Sequence, residues 1–287
     1  MSLARTDFRF LEPLRVRWAE VDMQKIVFNG HYLMYFDTAV AGYWRALAMP
    51  YHETMEAMQG DLFVRKATLE YEASARYDEQ LAVGVRCARI GNSSLVFAAA
   101  VFRGMQRLVH GELVYVFADP VAQTSKPVPS ALREWFQAFE DGATMADVQT
   151  GDWAAQGEAS RAIRQAVFVD EQRIPADLVV DARDAAALHA VARNRIGQPL
   201  AAGRLLPAVD GVGQVGRLAT LASMRGVQLG QRVLQALLDA ARRRGDRQVM
   251  LHAQASAISF YERLGFEPYG PVFEEAGIPH QEMRRAP

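Results

Sequence analysis

Tyr32, Phe36, Ala39, Val40, Tyr43, Trp44 and Leu47 recur three and four residues apart, which places them on one side of an α-helix and makes that side broad and aromatic. A stripe of this width has to be covered. The run predicts a helix of about 18 residues and about 27 Å, closing near Pro50, where the ring removes a backbone donor. Beyond it the period changes to two. Ala67, Leu69, Tyr71 and Ala73 alternate with Thr68, Glu70 and Glu72, and β-rich runs follow at 80–90, 94–103 and 108–118. Such an antiparallel sheet has one face to bury, and this helix is the only neighbouring element large enough to bury it. The expectation is a sheet wrapped around a helix, with the aromatic stripe serving as core.

A second constraint is length. The 287 residues exceed one ordinary compact domain and suggest two of about 140 residues each. A helix is expected at 130–139, and EDGATMADVQTGD at 140–152 then interrupts the apolar periodicity. The reading is therefore a first domain at 1–139, a linker at 140–152 and a second domain at 153–287. No period repeats across the break, so the halves are different folds. In the second half, 161–168 reads as helix and 187–194, 200–206 and 212–220 as strands. Leu229, Val233, Ala236, Leu237 and Ala240 share a helix face, RQVML at 247–251 is a short buried strand, and ISFYERL at 258–264 is a helix stopped by Gly265.

Composition excludes several classes. With 50% hydrophobic and 23% charged residues and a net charge of −1, the chain is an ordinary globular protein with no global field to draw nucleic acid. The run Arg242, Arg243, Arg244 lies where a helix would end and complements its dipole, although a basic rim for a phosphorylated cofactor stays open. Cys87 is the single cysteine and reads as a small core residue in a strand. The N-terminus lacks an apolar signal core, and the longest apolar run, 95–102, is too short to span a membrane. A cytoplasmic protein that binds no nucleic acid and no membrane is expected, and no metal-ligand spacing is visible.

Two segments carry the chemistry. VDMQKIVFNGHYL at 21–33 and RGVQLGQRVL at 225–234 each run from a loop into a helix N-terminus, where unpaired N–H groups and the dipole can bind phosphate or polarise a carbonyl. Asp22, after an apparent strand carrying Leu14, Val16 and Trp18, suits acyl transfer from a thioester, as nucleophile or as activator of water. An Asp before a helix is also a common cap. His31 is a polar helix-start residue or a substrate contact. In the second segment the amides of 226–230 could cradle a pyrophosphate, or the glycines could serve a plain strand-to-helix turn.

Residues 15–39, RVRWAEVDMQKIVFNGHYLMYFDTA, with 73–83 and 89–97, resemble the hotdog-fold acyl-CoA thioesterases of the 4-hydroxybenzoyl-CoA type over 8–136. The resemblance implies Asp22 as catalytic carboxylate, the Asn29 backbone amide as the group polarising the carbonyl, and Tyr32 as the tyrosine at the helix start. Lys25 stands where that family usually has Gly, and Asn29 where many members have His. The family's site lies between subunits, which implies a homodimer or tetramer and brings Lys66, Arg76, Ser93 and Ser94 forward as CoA contacts or ordinary surface residues.

Residues 153–287 resemble GNAT N-acetyltransferases through VFVDEQRIP at 167–175, DARDAAALH at 181–189, LHAQASAISFYERLGF at 251–266 and EEAGIPHQEM at 274–283. The resemblance implies a pyrophosphate loop at Arg225, Gly226, Val227, Gln228, Leu229 and Gly230, with Gln228 replacing the middle Gly. It also implies Leu218 and Thr220 as contacts of the pantetheine arm and Tyr261 as proton donor to the departing thiolate. Glu171, His189, His252 and His280 are candidates for the base that deprotonates the amine, and spacing singles out none.

The fold class read here is α+β: an N-terminal hotdog domain, with its antiparallel sheet around a long helix, followed by a C-terminal GNAT α/β domain. The function read is acyl-CoA hydrolysis in the first domain and acetyl transfer from acetyl-CoA to a small amine in the second. Acyl-CoA and acetyl-CoA enter as substrates, with no tightly bound cofactor. The alternative is a thioesterase whose GNAT domain senses acetyl-CoA without catalysis.

Overall fold

The computed structural model describes residues 3–275 and 277–287 and divides into two compact units, Met1–Met145 and Ala146–Pro287. In the first unit β1 (Phe10–Arg15) leads through a 3-10 turn at Trp18–Glu20 to α1 (His31–Ala46) and α2 (Tyr51–Ala57). Four strands follow: β2 (Asp61–Tyr71), β3 (Gln80–Ile90), β4 (Ser94–Arg103) and β5 (Gln106–Ala118), before α3 (Ser130–Glu140). The strands pair antiparallel in the order β1-β3-β4-β5-β2. The broad aromatic stripe is core as expected: Tyr32, Phe36, Ala39, Val40, Tyr43, Trp44 and Leu47 are all buried, and α1 packs on β1, β3 and β4. Tyr43 sits at the centre of this core, stacked on Phe136 and edge-on to Phe97 and Phe139. Its hydroxyl donates to Glu140 at 2.5 Å.

Three local expectations change. The first strand stops at Arg15 rather than continuing through Trp18, which is 74% exposed. The cause is Glu20, whose carboxylate accepts from the Arg17 amide at 2.7 Å and winds the chain into a turn. Pro50 ends nothing, because α1 has already closed at Ala46; it caps α2. The alternation in β2 does not mark a buried face, since Phe63, Val64 and Tyr71 on this edge strand are exposed.

The second unit begins inside the stretch expected as a linker. Residues Ala146–Gly151 form β6, paired antiparallel with β7 (Leu188–Asn194) along its whole length. Between them lie α4 (Trp153–Arg164), capped by the Asp152 side chain, and a π-helical continuation at Gln165–Glu171. Then come β8 (Pro199–Leu205), β9 (Val212–Thr220), α5 (Leu229–Arg244), β10 (Gln248–Gln254) and α6 (Ile258–Glu262), and finally β11 (Glu267–Pro268), β12 (Phe273–Glu275) and β13 (Ile278–Arg285). The sheet order is β11-β13-β10-β9-β8-β7-β6, with β12 on β13. Helix α5 buries Leu229, Val233, Leu234, Leu237, Leu238, Ala240 and Ala241, and Gly245 ends it in the left-handed conformation just after the three arginines. Among the described residues the single parallel pair is β9 with β10.

Candidate functional sites

In the first unit the loop before α1 is a tight turn. Val21 bridges Val27, the Asp22 amide donates to the Ile26 carbonyl at 2.9 Å, and the Lys25 amide donates to the Asp22 carbonyl at 2.9 Å. Lys25 closes the turn at φ 61, the left-handed region that favours glycine. The Asp22 carboxylate accepts from the Gln24 amide at 2.8 Å through Oδ1. Its other oxygen takes no hydrogen bond from the described residues.

Tyr32 is a structural anchor. It is buried, and its hydroxyl accepts from the Ala75 amide at 2.8 Å, tying the helix start to the chain after β2. Burial raises its pKa. A carboxylate that sequence reasoning passed over, Glu20, does the matching work from the other side. It is buried, accepts from the Tyr35 hydroxyl at 2.8 Å, and its carbonyl accepts from the Phe28 amide at 2.9 Å. Burial works to raise the Glu20 carboxyl, but the bonds from the Arg17 backbone, Tyr35 and the Arg17 side chain outweigh it and leave the pKa low.

Asn29 is exposed. Its carbonyl accepts from the Tyr71 hydroxyl at 3.2 Å, while no described group accepts from its amide or from that of Gly30. His31 points its Nδ1 at the Met34 sulfur, 3.3 Å away, which fits a helix-start role. Lys66 and Arg76 are exposed and Ser93 and Ser94 half-buried. Trp18, Met23, Phe28 and Tyr77, in and beside this loop, leave large apolar surface uncovered.

In the second unit, β9 and β10 pair only at Val212–Gln214 with Gln248–Met250 and then part. Beyond that point a cavity of about 1250 Å³ opens between them, and Leu218, Thr220, Arg225, Gly226, Gln228, Leu229 and Gly230 line it; Val227 does not. The loop after β9 is shaped for this position. Gly226 takes φ 85 and Gln228 φ 63, so Gln228 holds the left-handed conformation that glycine takes without strain. The side chain is exposed. A Cβ on Gly230 would stand 3.0 Å from the Thr220 hydroxyl, so glycine lets the helix start close against the strand end. No described group accepts from the amides of residues 226–230.

Tyr261, on α6, lines the same cavity, and no described group bonds its hydroxyl. Burial pushes the phenol up to about 12. The base candidates separate. His189 is fully buried, its Nε2 2.9 Å from the Asp184 carbonyl and its ring against Trp153, and it is not part of the cavity lining. Glu171 is in the lining but is clamped by Arg225 in a two-pronged bond of 2.7 and 2.6 Å. That bond, acting against slight burial, lowers its pKa. His252 and His280 both line the cavity. His280 Nδ1 lies 2.8 Å from the Ile278 carbonyl, whereas His252 Nδ1 lies 3.0 Å from the Glu275 carboxylate.

Residues 178–286 match the profile described as Acetyltransferase (GNAT) domain. A curated relative, the uncharacterized N-acetyltransferase YjcF of Bacillus subtilis, is 34% identical over 124 residues, which is 43% of this chain and 87% of that protein. The chain belongs to the GNAT acetyltransferases. Two uncharacterized acetyltransferases of Streptococcus pyogenes are 36% identical over 80 residues, 56% of their length. The GNAT unit is also 35% identical to a solved acyl-CoA N-acyltransferase from Pseudomonas aeruginosa, covering 49% of this chain and 99% of that one with a TM-score of 0.45. Ahead of the GNAT unit, residues 24–110 match the Thioesterase superfamily profile. A solved thioesterase-superfamily protein from Jannaschia sp. resembles this part at 19% identity, covering 48% of this chain and 96% of that one with a TM-score of 0.44. A hotdog-like thioesterase domain is thus followed by a GNAT fold. No helix among the described residues is long and apolar enough to cross a membrane, and no cluster of three His, Cys, Asp or Glu that could hold a metal occurs among them.

Proposed function

We propose that the chain carries two CoA-thioester activities: hydrolysis of an acyl-CoA in the thioesterase domain and transfer of an acetyl group from acetyl-CoA to a small amine in the GNAT unit. The observation that carries the second is the set of unengaged amides of Gly226, Gln228, Leu229 and Gly230 beside a parted sheet, in the lining of the same cavity as Tyr261. These amides take the pyrophosphate, the freed edge of Leu218 and Thr220 takes the pantetheine arm, and the thioester is drawn between β9 and β10. His252, its tautomer fixed by Glu275, accepts the proton of the amine. The nitrogen attacks the thioester carbon, the C–N bond forms, the C–S bond breaks, and the second proton of the former ammonium passes to solvent, as does the one His252 has taken. Tyr261 protonates the leaving thiolate, whose basicity the same dry site raises along with that of the phenol. Solvent then reprotonates Tyr261.

In the thioesterase domain the free oxygen of Asp22 attacks the acyl carbon or activates water, while the Asn29 amide stabilises the oxyanion. The products are the acid and CoA. The uncovered apolar surface around this loop and the exposed edge of β2 support a homodimer or tetramer in which a second copy completes the site. Both substrates are soluble thioesters, which supports a cytoplasmic setting.

The test uses the full chain with acyl-CoAs of graded length and with acetyl-CoA plus an amine panel, reading thiol release and acetylated amine separately. Asp22→Asn should lower acyl-CoA hydrolysis by about 10²-fold or more and leave amine acetylation intact. Tyr261→Phe should do the reverse, by about 10²-fold in kcat. Hydrolysis that survives Asp22→Asn, or acetylation that survives Tyr261→Phe, overturns the corresponding half. The Glu171–Arg225 clamp favours a second reading, in which the GNAT unit senses acetyl-CoA. Binding of acetyl-CoA with no acetylation across the panel selects it.

A further inference from the structure

At the cavity wall, which Arg183, Arg204 and Arg217 help to line, lies a group of charges that does not balance. Asp184 accepts from both Nη atoms of Arg164 at 2.8 and 3.0 Å and from Arg204 at 2.8 Å. Asp181 accepts from Arg204 at 2.9 and 2.8 Å, from the Arg183 side chain at 3.2 Å and from Arg217 at 3.3 Å. Four guanidinium groups share two carboxylates. Arg183 is 60% exposed and has water to solvate it, and Arg164 and Arg204 each hold a carboxylate at close range. Arg217 is the residue left short.

Its Nε and Nη2 donate to the carbonyls of Val179 at 3.1 Å and Leu178 at 2.7 Å, and its only carboxylate partner among the described residues is the already crowded Asp181. Nη1 bonds no described group, and the side chain lines the cavity. Burial, then Arg204, works against the Arg217 charge, and Asp181 and Glu275 support it. The backbone is bent to bring it there. Arg217 sits in a bulge of β9 at φ 53, opposite the register shift between Ala202 and Arg204, a strained conformation for a side-chain-bearing residue in a strand.

We infer that Arg217 is a specificity residue that receives an oxyanion of the acyl acceptor, so that the amine taken by the GNAT unit carries a carboxylate, as an amino acid does. This rests on reading the cavity as the acceptor's side of the transferase. A guanidinium with one amino group open in a partly dry wall recognises a carboxylate by a charge-assisted bond. Glu275, which lines the same cavity as Arg217, holds His252. The lining of the cavity therefore offers both a basic point and an acidic one. That pair complements a zwitterion, with its ammonium turned to Glu275 and His252 and its carboxylate turned to Arg217.

The test titrates the full chain, saturated with CoA, with matched probes by calorimetry: the common amino acids against their amides, and phosphoethanolamine against ethanolamine. The expected result is at least one amino acid bound about tenfold or more tighter than its amide, with Arg217→Gln bringing that ratio to near one. Acetyl-CoA affinity should stay unchanged. Arg217→Lys, which keeps the charge and donors to the carbonyls, should retain part of the preference and guards against a folding defect in the Gln variant. Discrimination confined to the phosphoethanolamine pair and lost in Arg217→Gln identifies the oxyanion as a phosphate and overturns the amino-acid assignment. Amides bound as well as acids, no probe bound at all, or a preference that survives Arg217→Gln overturns the proposal. Loss of acetyl-CoA binding by the unaltered chain is the separate result that overturns the transferase reading.

Discussion

Lys25 and Gln228 are the residues at which this chain departs from the glycines its two resemblances imply, and both keep a glycine-like backbone, at φ 61 and φ 63. Each loop takes this path with a side chain present, at a cost of about 1–2 kcal/mol for the left-handed conformation, offset by the about 0.5–1 kcal/mol that glycine would lose in entropy. Gln228→Gly should therefore stabilise the second unit by about 0.5–1 kcal/mol, read as a rise in its thermal midpoint; a fall would mean that the exposed Gln228 side chain makes a contribution absent from its backbone. Asp22, Tyr261 and the loop at 225–230 were singled out in the sequence by the motifs that carry the two resemblances. Glu20 and Arg217 were not. Glu20 acts through Tyr35 on the next helix, and Arg217 is defined by Val179 and Asp181, more than thirty residues away in sequence.

At the scale of elements, those with strong apolar periodicity were readable, and those held by pairing alone were missed. Strands β3, β4 and β5 fall almost where alternation and β-propensity put them. Strands β6 (ADVQTG) and β13 (IPHQEMRR) carry little apolar patterning, and they exist because β7 and β10 offer them unpaired edges. The charged group also works at this scale. Arg164 at the end of α4, Asp184 in the turn before β7 and Arg204 on β8 hold helix, turn and sheet together. Asp184→Ala leaves two buried guanidinium groups short of a partner and should cost about 3–5 kcal/mol, measured by chemical unfolding. The pH dependence follows from the same atoms. The arginines hold Asp181 and, against its burial, Asp184 below the ordinary carboxylate range, so their contribution is present above about pH 4 and lost as the pH falls further. Burial, against the Asp184 carbonyl bond, lowers the His189 pKa. Charging it is therefore penalised, and stability is also lost as the pH falls below about 6.5. Both effects predict a thermal midpoint of the second unit that drops on acidification from pH 7; a flat profile down to pH 4 would contradict the His189 contribution.

At the scale of the whole molecule, each unit encloses its own core, and the boundary at Met145 and Ala146 gives a direct experiment. A fragment 146–287 should fold with one cooperative transition. A fragment 153–287 loses β6, exposes the pairing edge of β7 and removes the Ala146 carbonyl that Arg232 holds at 2.5 Å, and it should aggregate or melt far lower. Equal behaviour of the two would show β6 to be dispensable. The parting of β9 from β10 has a consequence of another kind. A sheet finished by its ligand is more stable when the ligand is plentiful, by about 2.7 kcal/mol at a hundred times its Kd. Under the proposed function, the unliganded chain is the form that opens most readily to proteases, and the half-life of the protein in the cell becomes a gauge of the supply of CoA thioesters.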